Sequence, residues 1–121
     1  MLNLDTHIFL YALKGELNPK ENRLLSSQSW SISAIVLWEI SKLVELKRVV
    51  LDLDSPEFAK ATSRLQIWPI TLEICKTLQS LDFDSDPADE LIAATSIVHK
   101  IPLVTRDKKL LSSKKVPFPR H

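Results

Sequence analysis

Glycine is nearly absent: Gly15 stands alone in 121 residues, against 7 prolines. Neither a phosphate-cradling P-loop nor a dinucleotide fingerprint can be written with one glycine, so both nucleotide-binding classes are excluded. Cysteine is single too, which rules out a disulfide framework and a cysteine zinc site. Its place in an apolar helical pattern predicts that Cys75 is a small core residue. His7, His99 and His121 show no metal-ligand spacing, which disfavours zinc hydrolase chemistry. The elbow Gly-x-Ser-x-Gly is missing, and no Ser-His-acid order stands out. Long apolar runs are missing as well. The longest charge-free stretch, Leu24 to Trp38, is 15 residues, six of them Ser or Gln, too short and too polar to span a bilayer. The start, Met1-Leu2-Asn3-Leu4-Asp5, has neither a basic nor an apolar leader segment, so no signal peptide is expected. These absences predict a soluble, cytoplasmic protein with no membrane partner, folded as a single domain over 1–121.

What the chain does have is charge, unevenly placed. The formal net charge is +1. From Lys100 onward seven basic residues face one acid, Asp107, whereas residues 1–99 hold nine basic and fourteen acidic ones. Five acids, Asp82, Asp84, Asp86, Asp89 and Glu90, fall within nine residues. An acidic focus beside a basic rim suits a polyanion held by its backbone while metal ions act on one phosphate. A solvated lysine tail is the plainer reading of the same residues.

Periodicity places these charges on elements. Leu2 to Leu4 reads as a short buried strand ended by Asp5, followed by a helix that stops near Gly15. Asn18-Pro19 opens a helix through Leu25. Ser29 to Ser33 alternates as a strand, and Ser33 caps an apolar helix from Ala34 to about Lys47. Ser55-Pro56 starts a helix to Leu65; Ile67 to Ile70 is a strand with Pro69 at its end. Thr71 opens a helix through Leu81, and Asp86-Pro87 opens another to near Lys100. Pro102 to Thr105 is a strand, Asp107 begins a short helix, and Val116 to Phe118 is a further edge strand. Strands alternating with helices indicate a three-layer α/β/α fold around a parallel sheet of four to five strands. In such sheets the site lies at the carboxyl ends of the strands, where Asp5 and Asp107 both fall.

Four acids sit where such a chain would least want them: Asp5, Glu39, Asp89 and Asp107. Glu39 has Ile35, Val36 and Leu43 as helical neighbours, an apolar stripe. Asp86 is a good N-cap and Asp89 suits the first helical turn, so capping accounts for both; yet Asp89 leads a small, apolar face with Ile92, Ala93 and Ser96. Ligation is therefore assigned to Asp89 and capping to Asp86. Asp5 and Asp107 also read as N-caps, but capping cannot explain Glu39. Two carboxylates ~4 Å apart cost about 1 kcal/mol in water and about 4 at an effective dielectric of 20. A hard divalent cation with oxygen ligands, Mg²⁺ or Mn²⁺, removes that cost.

Four segments, in this order, carry a resemblance: Leu4-Asp5-Thr6, Ser33-Ala34-Ile35-Val36-Leu37-Trp38-Glu39-Ile40, Asp86-Pro87-Ala88-Asp89-Glu90-Leu91-Ile92-Ala93-Ala94-Thr95, and Leu103-Val104-Thr105-Arg106-Asp107. The whole chain resembles the PIN-domain ribonucleases, specifically the VapC-type toxins of toxin–antitoxin systems. The resemblance implies the strand order 3-2-1-4-5 and Mg²⁺-dependent hydrolysis of RNA phosphodiester bonds. It implies that Asp5, Glu39, Asp89 and Asp107 are the catalytic and metal-binding residues, with Asp86 as an accessory acid and Thr105 as a polar neighbour. It also implies a homodimer and a cognate antitoxin protein. Arg106, Lys108 and Lys109 are the candidates for RNA phosphate contacts. Two departures stand out: Asp84-Ser85 precede the Asp-Pro pair where many relatives carry His, and Leu46-Lys47-Arg48 end the Glu39 helix where many carry Gly. Two other classes remain: a PIN-like module that binds nucleic acid or protein without catalysis, and a phosphatase using Asp5, disfavoured because His7 replaces the second aspartate such enzymes want.

Overall fold

The computed structural model describes residues 1–120. Four strands, β1 (Leu2–Leu4), β2 (Trp30–Ser33), β3 (Gln66–Trp68) and β4 (Leu103–Val104), alternate with helices α1 (Thr6–Lys14), α2 (Pro19–Ser26), α3 (Ala34–Glu45), α4 (Pro56–Ser63), α5 (Leu72–Thr77), α6 (Pro87–His99) and α7 (Lys108–Leu111). The strands pair in parallel in the order β3-β2-β1-β4. The chain therefore steps outward from β1 to β3 and then doubles back to the other side of β1. Because such crossovers are right-handed, the reversal sends the returning helices to the opposite sheet face. The β1–β4 boundary is thus the switch point, where a crevice opens beyond the strand ends.

The expected fifth strand is not present among the described residues. Among those residues a single ladder bond reaches that edge, from Leu103 N–H to Pro117 O at 2.9 Å. Pro117 and Pro119 have no N–H to donate, so Val116 to Phe118 cannot extend the pairing. The sheet stops at four strands, and the family order 3-2-1-4-5 is shortened to 3-2-1-4.

Prolines and short polar residues do the work that glycine does elsewhere. Pro19 and Pro56 open α2 and α4 behind the caps Asn18 and Ser55, and Pro87 opens α6. Asn18 and Glu21 form a reciprocal capping box. Leu2, Leu4, Ile8, Phe9, Ile32, Val36, Ile40, Ile92, Leu103 and Leu110 are fully or almost fully buried. Each contributes roughly 1.5–3 kcal/mol by leaving water. Helix α6 packs against α3, α5 and β2. Its small Ala93 and Ser96 permit close approach, and Asn3 on β1 donates to Ile92 O and Ser96 Oγ. Cys75 contradicts its expected core position: it is exposed on α5, whose buried residue is Ile74, one position and about 100° away.

Candidate active site

Asp5 lies where β1 ends, and its Oδ1 accepts the Ile8 N–H at 2.8 Å as the cap of α1. Asp107 follows β4 and caps α7, its Oδ1 accepting from Lys109 N at 2.8 Å and Leu110 N at 3.3 Å. Both aspartates are N-caps, as the local sequence allows. Capping nevertheless engages only one oxygen of each carboxylate. Asp5 Oδ2 receives the Thr105 hydroxyl at 2.5 Å, and Thr105 Oγ1 in turn accepts the Asp107 N–H at 3.0 Å. One threonine thereby ties the two aspartates across the β1–β4 switch point.

Glu39 sits on α3, between the buried Val36 and Ile40, and accepts the Thr6 hydroxyl at Oε1. Asp89, in the first turn of α6, accepts the Ser85 hydroxyl at Oδ2, 3.2 Å away. Asp86 occupies the cap position of α6 but makes no side-chain cap bond. It lines the cleft instead, which corrects its assignment as the capping acid.

The four carboxylates and Asp86 surround one cleft of about 290 Å³, with Ile8 and Tyr11 as its less polar wall and Arg106 at its rim. Burial raises the Asp5 pKa above its ordinary value; Thr105 and the Ile8 N–H pull it down, and Asp107 pushes it up. Asp89 is raised to about 6, first by burial and then by repulsion from Glu39, Asp107 and Asp5, with Ser85 opposing. Charges brought together by four different elements therefore feel one another. Glu39 Oε2, Asp89 Oδ1 and Asp107 Oδ2 accept no hydrogen bond among the described residues. Anionic oxygens without donors are the ligand chemistry of Mg²⁺ or Mn²⁺, so the donor set fits a hard divalent ion. Among the described residues no three His, Cys, Asp or Glu side chains form a ready-made metal-ligand group. The acids ring the cleft rather than meeting at a point, in keeping with their mutual repulsion.

The expected phosphate contacts divide. Arg106 lines the cleft, but its Nε and Nη2 donate to the Glu21 carboxylate at 2.9 and 2.7 Å, and its guanidinium lies 4.2 Å over the Tyr11 ring. Its fork is committed to Glu21, so it is not a free phosphate ligand. Lys108 and Lys109 are exposed at the start of α7 and do not line the cleft. Sequence reasoning missed Thr6, Ser85 and Glu21. Thr6 and Ser85 stand beside motif acids, which is a usable signal, but no local pattern links Glu21 to Arg106, 85 residues away.

A family model described as the PIN domain matches residues 3–116. Ribonuclease VapC22 of Mycobacterium tuberculosis is 30% identical over 119 residues, covering 90% of this chain and 88% of that protein. Among solved structures, a toxin–antitoxin complex from Klebsiella pneumoniae superposes with a TM-score of 0.71 at 20% identity, covering 93% of this chain and 91% of that one. FitAcB from Neisseria gonorrhoeae gives 0.71 at 21% identity, covering 99% and 97%. VapBC2 from Rickettsia felis, bound to a promoter DNA fragment, gives 0.69 at 22%, covering 98% of each chain. These structural likenesses speak for the fold, and the sequence matches speak for the lineage. The chain belongs to the PIN-domain family and is a relative of ribonuclease VapC22 within it.

Proposed function

We propose that this protein is a divalent-metal-dependent endoribonuclease and the toxin of a type II toxin–antitoxin pair, acting in the cytoplasm. The observation that carries the reading is the ring of Asp5, Glu39, Asp89 and Asp107 around one cleft, with the Asp89 pKa raised partly by the other three. These four residues would hold Mg²⁺ or Mn²⁺. When bound, the ion supplies charge neutralisation and an acidified water for attack on phosphorus. The chain's own residues do the positioning. Thr105 fixes Asp5 relative to Asp107, Thr6 orients Glu39, and Ser85 orients Asp89. Ile8 and Tyr11 keep one wall of the cleft less polar, which strengthens electrostatic contacts within it. Hydrolysis adds water across the P–O3′ bond, leaving a 5′-phosphate and a 3′-hydroxyl.

A ring of carboxylates also attracts a basic side chain, a means by which an antitoxin could silence the site. One solved structure with this fold is a toxin–antitoxin complex, which supports a protein partner here. Trp38, Leu46 and Val50, exposed on and just after α3, offer apolar surface for a homodimer. The test is end-mapping of RNA fragments after incubation with Mg²⁺, with Asp5→Asn and excess EDTA as controls. Fragments that form equally in both controls refute the reading.

A non-catalytic PIN-like binding module is the second reading, favoured by the spread of the carboxylates around the cleft. Titration calorimetry with Mn²⁺ separates the two. Heat that vanishes in Asp107→Asn supports the enzyme, and no heat from the wild-type chain supports the module.

A further inference from the structure

We propose that Lys20, Arg23 and Arg120 form a cationic subsite that holds backbone phosphates of the RNA strand running away from the acidic cleft. The inference rests on the ribonuclease reading above. The three side chains, with Leu24 beside them, line a surface pocket of about 360 Å³ that no acid lines among the described residues. Lys20 and Arg23 lie three residues apart on α2, which puts their Cβ atoms about 5–6 Å apart on one helix face. All three are exposed, and none pairs with a carboxylate among the described residues. Arg120 gives a role to part of the basic C-terminal excess, whose Lys108 and Lys109 stand away from the cleft.

The acid best placed to neutralise this pocket is occupied elsewhere. Glu21, between Lys20 and Arg23 in sequence, gives its oxygens to Arg106 at 2.7 and 2.9 Å and to the Asn18 N–H at 2.9 Å. The contact that ties up Arg106 therefore leaves Lys20 and Arg23 uncompensated. Three like charges around one depression repel, and an anion relieves that repulsion.

A second depression, of about 170 Å³, shares Lys20 and Leu24 with this pocket and continues along Glu21, Thr105 and Phe118. Thr105 bonds to Asp5 and Glu21 to Arg106, both of which line the acidic cleft. The path from the cleft to the cations is thus bordered by shared or bonded residues, with Leu24 and Phe118 in its lining. Cations beside an aromatic surface suit a single strand, whose phosphates meet the former while its bases stack on the latter. An acidic peptide uses only the charges.

The test is fluorescence anisotropy in the Asp5→Asn background, comparing a single-stranded RNA of roughly 15 nucleotides with one of roughly 4, the range of lengths that such tracks hold. The Lys20→Ala/Arg23→Ala/Arg120→Ala variant is expected to lose at least about tenfold in affinity for the long RNA. Its salt slope should fall by about 2, since each single-strand phosphate contact contributes about 0.7. Binding of the short RNA should not change, and Lys20→Arg/Arg23→Lys should bind like the parent. An unaltered salt slope overturns the proposal, as does equal weakening of both RNAs, which reports general damage. Polyglutamate of matched charge that outcompetes the long RNA also overturns it, in favour of a protein partner. Cleavage separates the two readings. Wild-type protein that cuts no RNA while the anisotropy responds as expected sinks the ribonuclease and leaves the subsite. Cleavage of long RNA with unchanged KM in the triple variant sinks the subsite and leaves the ribonuclease.

Discussion

Asp89 keeps its proton up to about pH 6 in the folded chain, whereas the ordinary value is 3.8. Between those values the native state binds more protons than the unfolded one, so this group's contribution to stability falls as pH rises. The loss is complete above about pH 6. Asp89→Asn keeps the shape of the side chain but cannot ionise. In EDTA, urea melts across pH 4 to 7 should therefore show the variant gaining on wild type through that window; a constant difference between the two refutes it. Asp5 and Asp107 call for different reasoning, because each also caps a helix. Asn caps about as well as Asp. Asp5→Asn and Asp107→Asn should then change stability by no more than about 0.5 kcal/mol while abolishing cleavage, a contrast read by urea melts and a gel assay. Asn variants that retain activity, or that unfold, break the assignment.

Three helices end in the same way. After α1, α3 and α6 a residue at positive φ reverses the chain: Gly15 at 69°, Lys47 at 59° and Lys100 at 56°. In each, two N–H groups fold back onto the last turn, as in Arg48 N to Leu43 O at 2.9 Å and Ile101 N to Ser96 O at 3.1 Å. Only one of the three is glycine, so the other two ends are strained. Lys47→Gly and Lys100→Gly should each stabilise by about 0.5–1 kcal/mol, after the greater freedom of glycine in the unfolded chain is allowed for. Gly15→Ala should destabilise by about 1 kcal/mol through its φ alone, because an added Cβ meets nothing within 4 Å. Urea denaturation of the three variants reads the signs directly. A stabilised Gly15→Ala, or a destabilised Lys47→Gly, would show that the caps are not under backbone strain. The departure at Leu46-Lys47-Arg48 is thus a matter of helix termination, in residues outside the lining of the cleft.

For the molecule as a whole, folding stability and site occupancy are linked. The fold holds carboxylates from the start of α1, the middle of α3, the start of α6 and the start of α7 around one cleft. A divalent ion that binds only this arrangement must stabilise all of it. At about 100 times its dissociation constant Mg²⁺ or Mn²⁺ should add about 2.7 kcal/mol. That is a rise of roughly 10 °C in melting temperature for a chain this size. Asp107→Asn should lose most of the rise, and Lys108→Ala should keep it. Equal shifts in all three proteins would point to nonspecific ion effects rather than a site.

By itself the sequence determined the order of elements, the Pro-opened helices and the four acids, because each rests on short-range physics. A proline fixes its own φ, a helix shows its buried face every three to four residues, and an acid inside an apolar stripe is visible within one turn. Glu39 was legible for that last reason. The tertiary structure decided what depends on residues far apart in the chain. Thr105 meets Asp5 across 100 positions, Thr6 meets Glu39 across 33, and Arg106 gives its fork to Glu21 across 85. It also decided that Asp5 and Asp107 cap with one oxygen each while lining the cleft, that Asp86 leaves its cap unmade, and that Cys75 is exposed. Whether β4 gains a neighbour depends on which N–H groups meet its edge, and two prolines withhold them there. Local rules specify what a residue can offer; strand order and helix packing choose which partner takes it.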